Sequence, residues 1–206
     1  MADKIFKLWE DSEKLKEIEE KARENHIPII SREVANVLKS VITTHKPKLI
    51  LEIGTAIGYS TLWMAEYTDS DTEIVTIEID EDRFEKARKN IKEFGYNNKV
   101  KFKFGDAVEI VPYLRRKFDF IFIDAAKGQY LNLFKMAEEK IKDNGIIVCD
   151  NVLYKGLVRD NKKIDHKMRT MVVNLRKFLI YLKNNKRFKT EMFDIDDGIT
   201  ISTRRN

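Results

Sequence analysis

From Pro47 onward the chain alternates short apolar runs with stretches whose apolar residues recur at helical spacing, and few folds accept that rhythm. The runs are KLILEI (48–53), EIVTIEI (73–79), VKFKF (100–104), FDFIFI (118–123) and GIIVC (145–149). Helices are predicted after Gly58, from Asp80 to Phe94, briefly after the third run, and between the fourth and fifth. Strands separated by helices need crossover connections, so the pattern predicts an α/β fold with a mainly parallel sheet. In the 80–94 helix, Phe84, Ala87, Ile91 and Phe94 form one stripe, and Gly95 stands at the stop. Tyr130, Leu133, Ala137 and Ile141 form another, with Gly145 as its expected end. A long helix is predicted over Asp165–Lys183. RFKTEMFDI and GITIST then read as two strands joined at Asp196, Asp197 and Gly198, a hairpin that need not be parallel.

Ahead of this core, residues 3–24 predict a charged helix with apolar positions Ile5, Leu8, Leu15, Ile18 and Ala22. Pro28 breaks it, and Ser31 caps a second helix running to about Thr44. The 206 residues, 43% of them hydrophobic, suit one domain: N-terminal helices over 1–45 and a core over 46–206. No apolar run approaches the roughly 20 residues that span a bilayer. The start MADKIFKLWEDSEK lacks the basic-then-apolar order of a signal peptide, so a soluble cytoplasmic protein is expected. The single cysteine, Cys149, lies inside an apolar run, where it forms no internal disulfide and makes a poor catalytic thiol.

Ligands of open parallel sheets bind at the carboxyl ends of the strands, and there this chain places Asp124, Asp150 and Asn151. Three oxygen donors suit a hard divalent cation. The competing reading is that the two aspartates cap whatever follows them. Upstream, Glu52-Ile53-Gly54-Thr55-Ala56-Ile57-Gly58-Tyr59-Ser60 joins a strand to a helix, where the backbone passes close to a ligand. The spacing GxxxG is not the dinucleotide fingerprint GxGxxG, which disfavours a nicotinamide or flavin oxidoreductase. Glu78 ends the second strand where a carboxylate accepts from ribose hydroxyls, and Gly105-Asp106-Ala107 ends the third beside a place for adenine. Taken singly, Glu78 is a solvated acid and Asp106 a helix cap. Their order along the chain fits an adenosine held without phosphates, as in S-adenosylmethionine.

With these marks stand IPII at 27–30, EIGTAIGYST, GDA at 105, IDAAKGQY at 123, DNVLYKG at 150 and DDGITIS near the end. On them the chain resembles the cation-dependent O-methyltransferases, the class that includes the catechol and caffeoyl-CoA enzymes, over about residues 26–203. The resemblance implies a Rossmann-like S-adenosylmethionine-dependent methyltransferase fold. Its sheet would be seven-stranded and mostly parallel with strand seven antiparallel, with helices on both faces, extra N-terminal helices and commonly a homodimer. It implies Mg²⁺ on Asp124, Asp150 and Asn151. Lys127 would stand beside the reacting oxygen, as general base or as electrostatic stabiliser. The cofactor would lie against Ile30, Glu52, Gly54, Gly58, Ser60, Glu78, Asp106, Ala107 and Asp124.

Such enzymes act on acceptors with two adjacent oxygens. Catechols qualify, and so does 5-hydroxyuridine, whose 4-carbonyl adjoins its hydroxyl. The chain is similar to the bacterial branch that converts 5-hydroxyuridine at the tRNA wobble position to 5-methoxyuridine. Residues 151–206 hold 14 Lys or Arg against 6 Asp or Glu, while the chain as a whole carries +5. Lys155, Arg159, Lys162 and Lys163, with Lys167 and Arg169 beyond them, begin this surplus just after the acidic motif, which favours tRNA as partner. Small catechol-like or acyl-CoA acceptors are the alternative. A nonenzymatic RNA-binding scaffold is a further one, against which the intact set Glu78, Asp124, Lys127, Asp150 and Asn151 argues. His26, His45 and His166 lack ligand spacing and receive no role.

Overall fold

The computed structural model describes residues 13–159 and 166–206. Ile5, Leu8, Lys162 and Lys163 lie outside them. Helix α1 (Glu13–Glu24) and helix α2 (Arg32–His45) precede strand β1 (Leu49–Ile53). There follow α3 (Tyr59–Glu66), β2 (Glu73–Glu78), α4 (Glu81–Glu93), β3 (Val100–Phe104) and the short α5 (Ala107–Ile110). The chain closes with β4 (Phe118–Ile123), α6 (Tyr130–Lys140), β5 (Ile141–Cys149), α7 (His166–Asn184), β6 (Phe188–Phe193) and β7 (Ile199–Arg204). The predicted alternation is therefore present, as are Leu15, Ile18 and Ala22 of the first helix on a buried face.

All seven strands join one sheet in the order β3-β2-β1-β4-β5-β7-β6. The first five are parallel, and β7 runs antiparallel to both β5 and β6. Strand order reverses between β1 and β4, the switch point at which such sheets open a crevice. Side chains alternate across the sheet, so Phe120 and Phe122 pack with Leu38 and Trp63 on one face. Ile121 and Ile123 pack with Phe134 and Phe178 on the other. This double coverage explains why β1 is buried at every position.

Local chemistry sets the helix starts. Ser31 Oγ accepts from the Val34 N–H at 3.3 Å and Asp80 Oδ1 from the Arg83 N–H at 2.9 Å, each satisfying an otherwise orphaned donor. One expected boundary is corrected. Gly145 does not end α6; the helix stops at Lys140, and Ile141 is already extended and paired with Phe118. The ladder slips there and resumes at Phe120 and Ile146. A Cβ on Gly145 would lie 2.7 Å from Ile141 Cγ1, so this glycine makes room for a core side chain inside an irregular strand. Among the described residues, no helix is long and apolar enough to cross a membrane.

Candidate active site

The segment leaving β1 is pinned to its neighbours by backbone bonds. The Gly54 and Thr55 N–H groups donate to the Ile77 carbonyl at 3.0 and 3.3 Å. Gly54 has φ +99°, and a Cβ there would stand 2.0 Å from the Asp124 carbonyl oxygen, so only glycine lets the β1 and β4 ends meet. Glu78 braces the same segment. Its Oε2 accepts from the Ala56 N–H at 2.7 Å, and its Oε1 from the Ile79 and Asp80 N–H groups at 3.0 Å each. Of the roughly four lone-pair positions on a carboxylate, three are thus engaged and one is left for a ligand hydroxyl.

These strand ends enclose a cavity of about 510 Å³ lined by Gly54, Glu78, Asp106, Ala107, Asp124, Lys127 and Asn151. Pro28 and Ile29 of the IPII mark also line it, as do Ile79 and Arg83, to which the sequence reading gave no role. Asp106 combines both of its readings: it lines the cavity, and its Oδ1 caps α5 by accepting from the Val108 N–H at 2.9 Å.

Four expected cofactor residues are placed beneath the cavity instead of on its wall. Ile30 is buried in the core while its neighbours Pro28 and Ile29 reach the cavity. Glu52 points into the core, where it accepts from Ser60 at 2.5 Å, from Thr76 at 2.6 Å and from Thr61. Burial pushes its carboxyl up to about 7 despite the three hydroxyl donors, which pull the other way. Ser60 is the first of those donors, and Gly58 packs against Ala87 of α4. These residues support the floor that shapes the site.

At the acidic end, β4 and β5 are hydrogen-bonded neighbours. The Asp124 N–H donates to the Ile53 carbonyl at 3.0 Å and the Asp150 N–H to the Ile123 carbonyl at 3.1 Å, which sets the two acids side by side. Neither caps a helix: the 3₁₀ turn Lys127–Gln129 starts on Ala126 without a side-chain cap, and turns follow Asp150. Asp124 Oδ1 instead accepts from Lys127 Nζ at 2.7 Å. Asp150 is fully buried; its Oδ1 accepts from the Asn151 N–H at 2.7 Å, and its Oδ2 has no partner. Burial, then the charge of Asp124, push its carboxyl up to about 7. Tyr130, legible in the sequence only as part of an apolar stripe, donates from its hydroxyl to the Asp150 carbonyl at 2.7 Å and lies 3.3 Å from Lys127 Nζ.

Asn151 lines the cavity at φ +53°. The turn it opens is held by the β6–β7 hairpin: the Val152 N–H donates to the Gly198 carbonyl at 2.9 Å, the Leu153 N–H to the Asp197 carbonyl at 2.8 Å, and the Lys155 N–H to the Asp197 carboxylate. Among the described residues no three histidine, cysteine or acidic side chains converge. Asp124 and Asn151 line the cavity, Asp150 is buried behind its wall, and the orphaned Asp150 oxygen fits a hard divalent cation better than it fits an apolar core.

The candidate RNA residues fare unequally. Lys155 is exposed, whereas Arg159 is engaged by Asp194 at 2.6 Å. Arg176 Nε and Nη2 reach the carbonyls of Val158 and Leu157 at 3.0 and 3.2 Å, fixing the end of this segment. The Cys149 thiol is buried, which pushes its pKa up and keeps it inert. None of the three histidines lines the cavity.

A mainly parallel sheet with an antiparallel last strand thus carries, at its switch point, a cavity with an acid paired to a lysine. The O-methyltransferase family profile matches residues 7–205, and the chain belongs to that family. A caffeoyl-CoA O-methyltransferase of Stellaria longipes is 31% identical over 205 residues, covering 94% of this chain and 84% of that protein. A catechol O-methyltransferase of Niastella koreensis is 38% identical over 122 residues, 57% of this chain and only 55% of that protein. Among solved structures, the O-methyltransferase TomG of Streptomyces achromogenes, involved in tomaymycin synthesis and bound to SAM, superposes with a TM-score of 0.85. It is 27% identical, and the match covers 96% of this chain and 92% of that one.

Proposed function

We propose that this O-methyltransferase moves the methyl group of S-adenosylmethionine to a hydroxyl flanked by a second oxygen, with Mg²⁺, and that its acceptor is 5-hydroxyuridine at the tRNA wobble position, giving 5-methoxyuridine. The observation that carries the chemistry is one cavity lined by Glu78 and Asp106 at one end and by Asp124, Lys127 and Asn151 at the other. The SAM-bound relative TomG supports the cofactor. Asp124, Asp150 and Asn151 would hold the cation, which when bound supplies a Lewis acid that lowers the pKa of the acceptor hydroxyl.

The residues of this chain do the rest. Glu78 binds a ribose hydroxyl with its remaining lone pair, and Asp106 with Ala107 borders the adenine. Lys127, oriented by its ion pair with Asp124, presents an ammonium to the acceptor oxygen once the hydroxyl proton has passed to water. The C–S bond of the sulfonium breaks as the C–O bond forms. Ile29 and Ile79 line the cavity with apolar surface that keeps water from the sulfonium.

The basic C-terminal portion supports the tRNA acceptor. The names of the relatives favour a second reading, a small catechol-like or acyl-CoA acceptor. Labelled S-adenosylmethionine, with and without Mg²⁺, would be offered hydroxyuridine-bearing tRNA, unmodified tRNA, a catechol and caffeoyl-CoA. Mg²⁺-dependent label on the hydroxyuridine alone is expected. Product from the small acceptors without tRNA product overturns the acceptor, and turnover undiminished by EDTA overturns the cation.

A further inference from the structure

A second concentration of positive charge on the described surface lies outside the C-terminal segment. Strand β3 is an edge of the sheet, and along it runs a groove of about 700 Å³ lined by Arg88, Lys101, Lys103, Arg115 and Arg116. The one carboxylate in its lining, Glu73, is engaged by Arg116 at 2.5 Å. Arg88 pairs with Glu85 at 3.0 Å, and Lys101 Nζ reaches only the Asn98 carbonyl. Lys103 and Arg115 are exposed and have no hydrogen-bond or ion-pair partner among the described residues. Phe84 lines the same groove, with its ring 5.2 Å from that of Phe104, a side chain left 53% exposed.

We infer that this β3-edge groove is a docking surface for the sugar–phosphate backbone of RNA. The inference rests on the tRNA acceptor proposed above. Several cations facing one carboxylate are complementary to a polyanion, and an exposed ring beside them suits an unpaired base. The position also fits. Helix α4 puts Arg83 on the wall of the cofactor cavity and Phe84 and Arg88 on the groove. The groove lies toward the amino ends of the strands, at Glu73, Val100 and Phe118, so the acids after β4 stand roughly 20 Å away along the strands and about three strand spacings of 4.8 Å across them. A macromolecular acceptor with a base at Lys127 spans that distance; a catechol does not. An edge strand with protruding lysines also resists pairing with another sheet, which leaves it open to such a ligand.

The test compares wild type, the double variant Lys103→Glu/Arg115→Glu, and a control, Lys186→Glu/Lys189→Glu, at the opposite edge. Affinity for hydroxyuridine-bearing tRNA is read by fluorescence anisotropy over a KCl series, and affinity for S-adenosylmethionine by calorimetry. The groove variant is expected to bind tRNA at least tenfold more weakly, with the slope of log K against log salt reduced by about 1.4–1.8 for two lost phosphate contacts. Its S-adenosylmethionine affinity is expected to be unchanged, which reports an intact fold. Equal losses in the control pair, or no loss in the groove pair while wild type still methylates tRNA, would overturn the groove alone. Loss of caffeoyl-CoA turnover in place of tRNA binding would assign these cations to a small polyanion and overturn it too. A wild type that neither binds nor methylates tRNA removes both the groove and the acceptor on which it depends.

Discussion

The Tyr130 hydroxyl donates to the backbone carbonyl of Asp150 across 2.7 Å, tying the first turn of α6 to the strand end that carries the buried acid. Tyr130 itself is buried, and burial followed by the charge of Asp124 drives its pKa well up, so it remains a neutral donor. Tyr130→Phe leaves a buried carbonyl unpaired at a cost of about 1–3 kcal/mol. Chemical denaturation is expected to show that loss. Methyl transfer should fall through kcat, with S-adenosylmethionine affinity unchanged in calorimetry.

Asp150→Asn separates a metal ligand from a structural acid. Mg²⁺ that binds only the folded protein raises its melting temperature. Wild type is expected to show that rise between EDTA and millimolar MgCl₂, and the variant to lose it together with at least about 100-fold of its turnover. In EDTA the variant should be no less stable than wild type, because the carboxylate oxygen it replaces is buried without a partner. A surviving Mg²⁺ shift in Asp150→Asn would remove this side chain from the ligand set.

Glu52 gives the fold a pH dependence of known sign. Its carboxyl, ordinarily at 4.5, is raised to about 7 by burial, so the folded chain holds this proton where the unfolded chain has released it. Stability from this group is therefore greatest below about 4.5 and declines as pH rises toward about 7, by roughly 3 kcal/mol at 1.36 kcal/mol per unit. Glu52→Gln lacks the titration. Urea melts at pH 5 and pH 8 are expected to show the variant gaining on wild type at the higher pH, and a constant difference would contradict the assignment.

Two glycines with positive φ calibrate the close approach at Gly54. At Gly95, with φ +80°, a Cβ meets nothing within 4 Å, so Gly95→Ala costs only the left-handed backbone penalty of about 1–2 kcal/mol. At Gly54 the same substitution also collides with the Asp124 carbonyl and should cost more than about 3 kcal/mol. Thermal melts of the two variants compare these costs, and calorimetry should show cofactor binding surviving in Gly95→Ala alone.

Strand ends were legible because a buried run declares itself and the polar residue that follows it is unambiguous; Glu78, Asp106, Asp124 and Asn151 all reach the cavity. Side-chain direction was not. Glu52 and Ser60 belong to the same motif as Gly54, yet the alternation along β1 turns Glu52 into the core, where Ser60 meets it. Gly145 looked like a helix stop because a missing side chain that accommodates Ile141 leaves the same letter in the sequence as one that permits a turn. Charge is legible along the chain but not across the sheet. Counting along the chain pointed to Arg159, which Asp194 engages, and passed over Lys101, Lys103 and Arg115, which converge only because the sheet order leaves β3 at an edge.

The hairpin contact at Asp197 and Gly198 also orders events in time. A ribosome delivers the Gly54 segment, Glu78 and Asp124 first, then the turn at Asn151, and only 46 residues later the partner of that turn, Asp197. At about 5–20 residues per second the interval is roughly 2–9 seconds. During it a nascent chain has the strands of its cofactor half and no template for its acidic turn. Docking of β6 and β7 supplies the hydrogen-bond partners that the turn after Asn151 lacks until then.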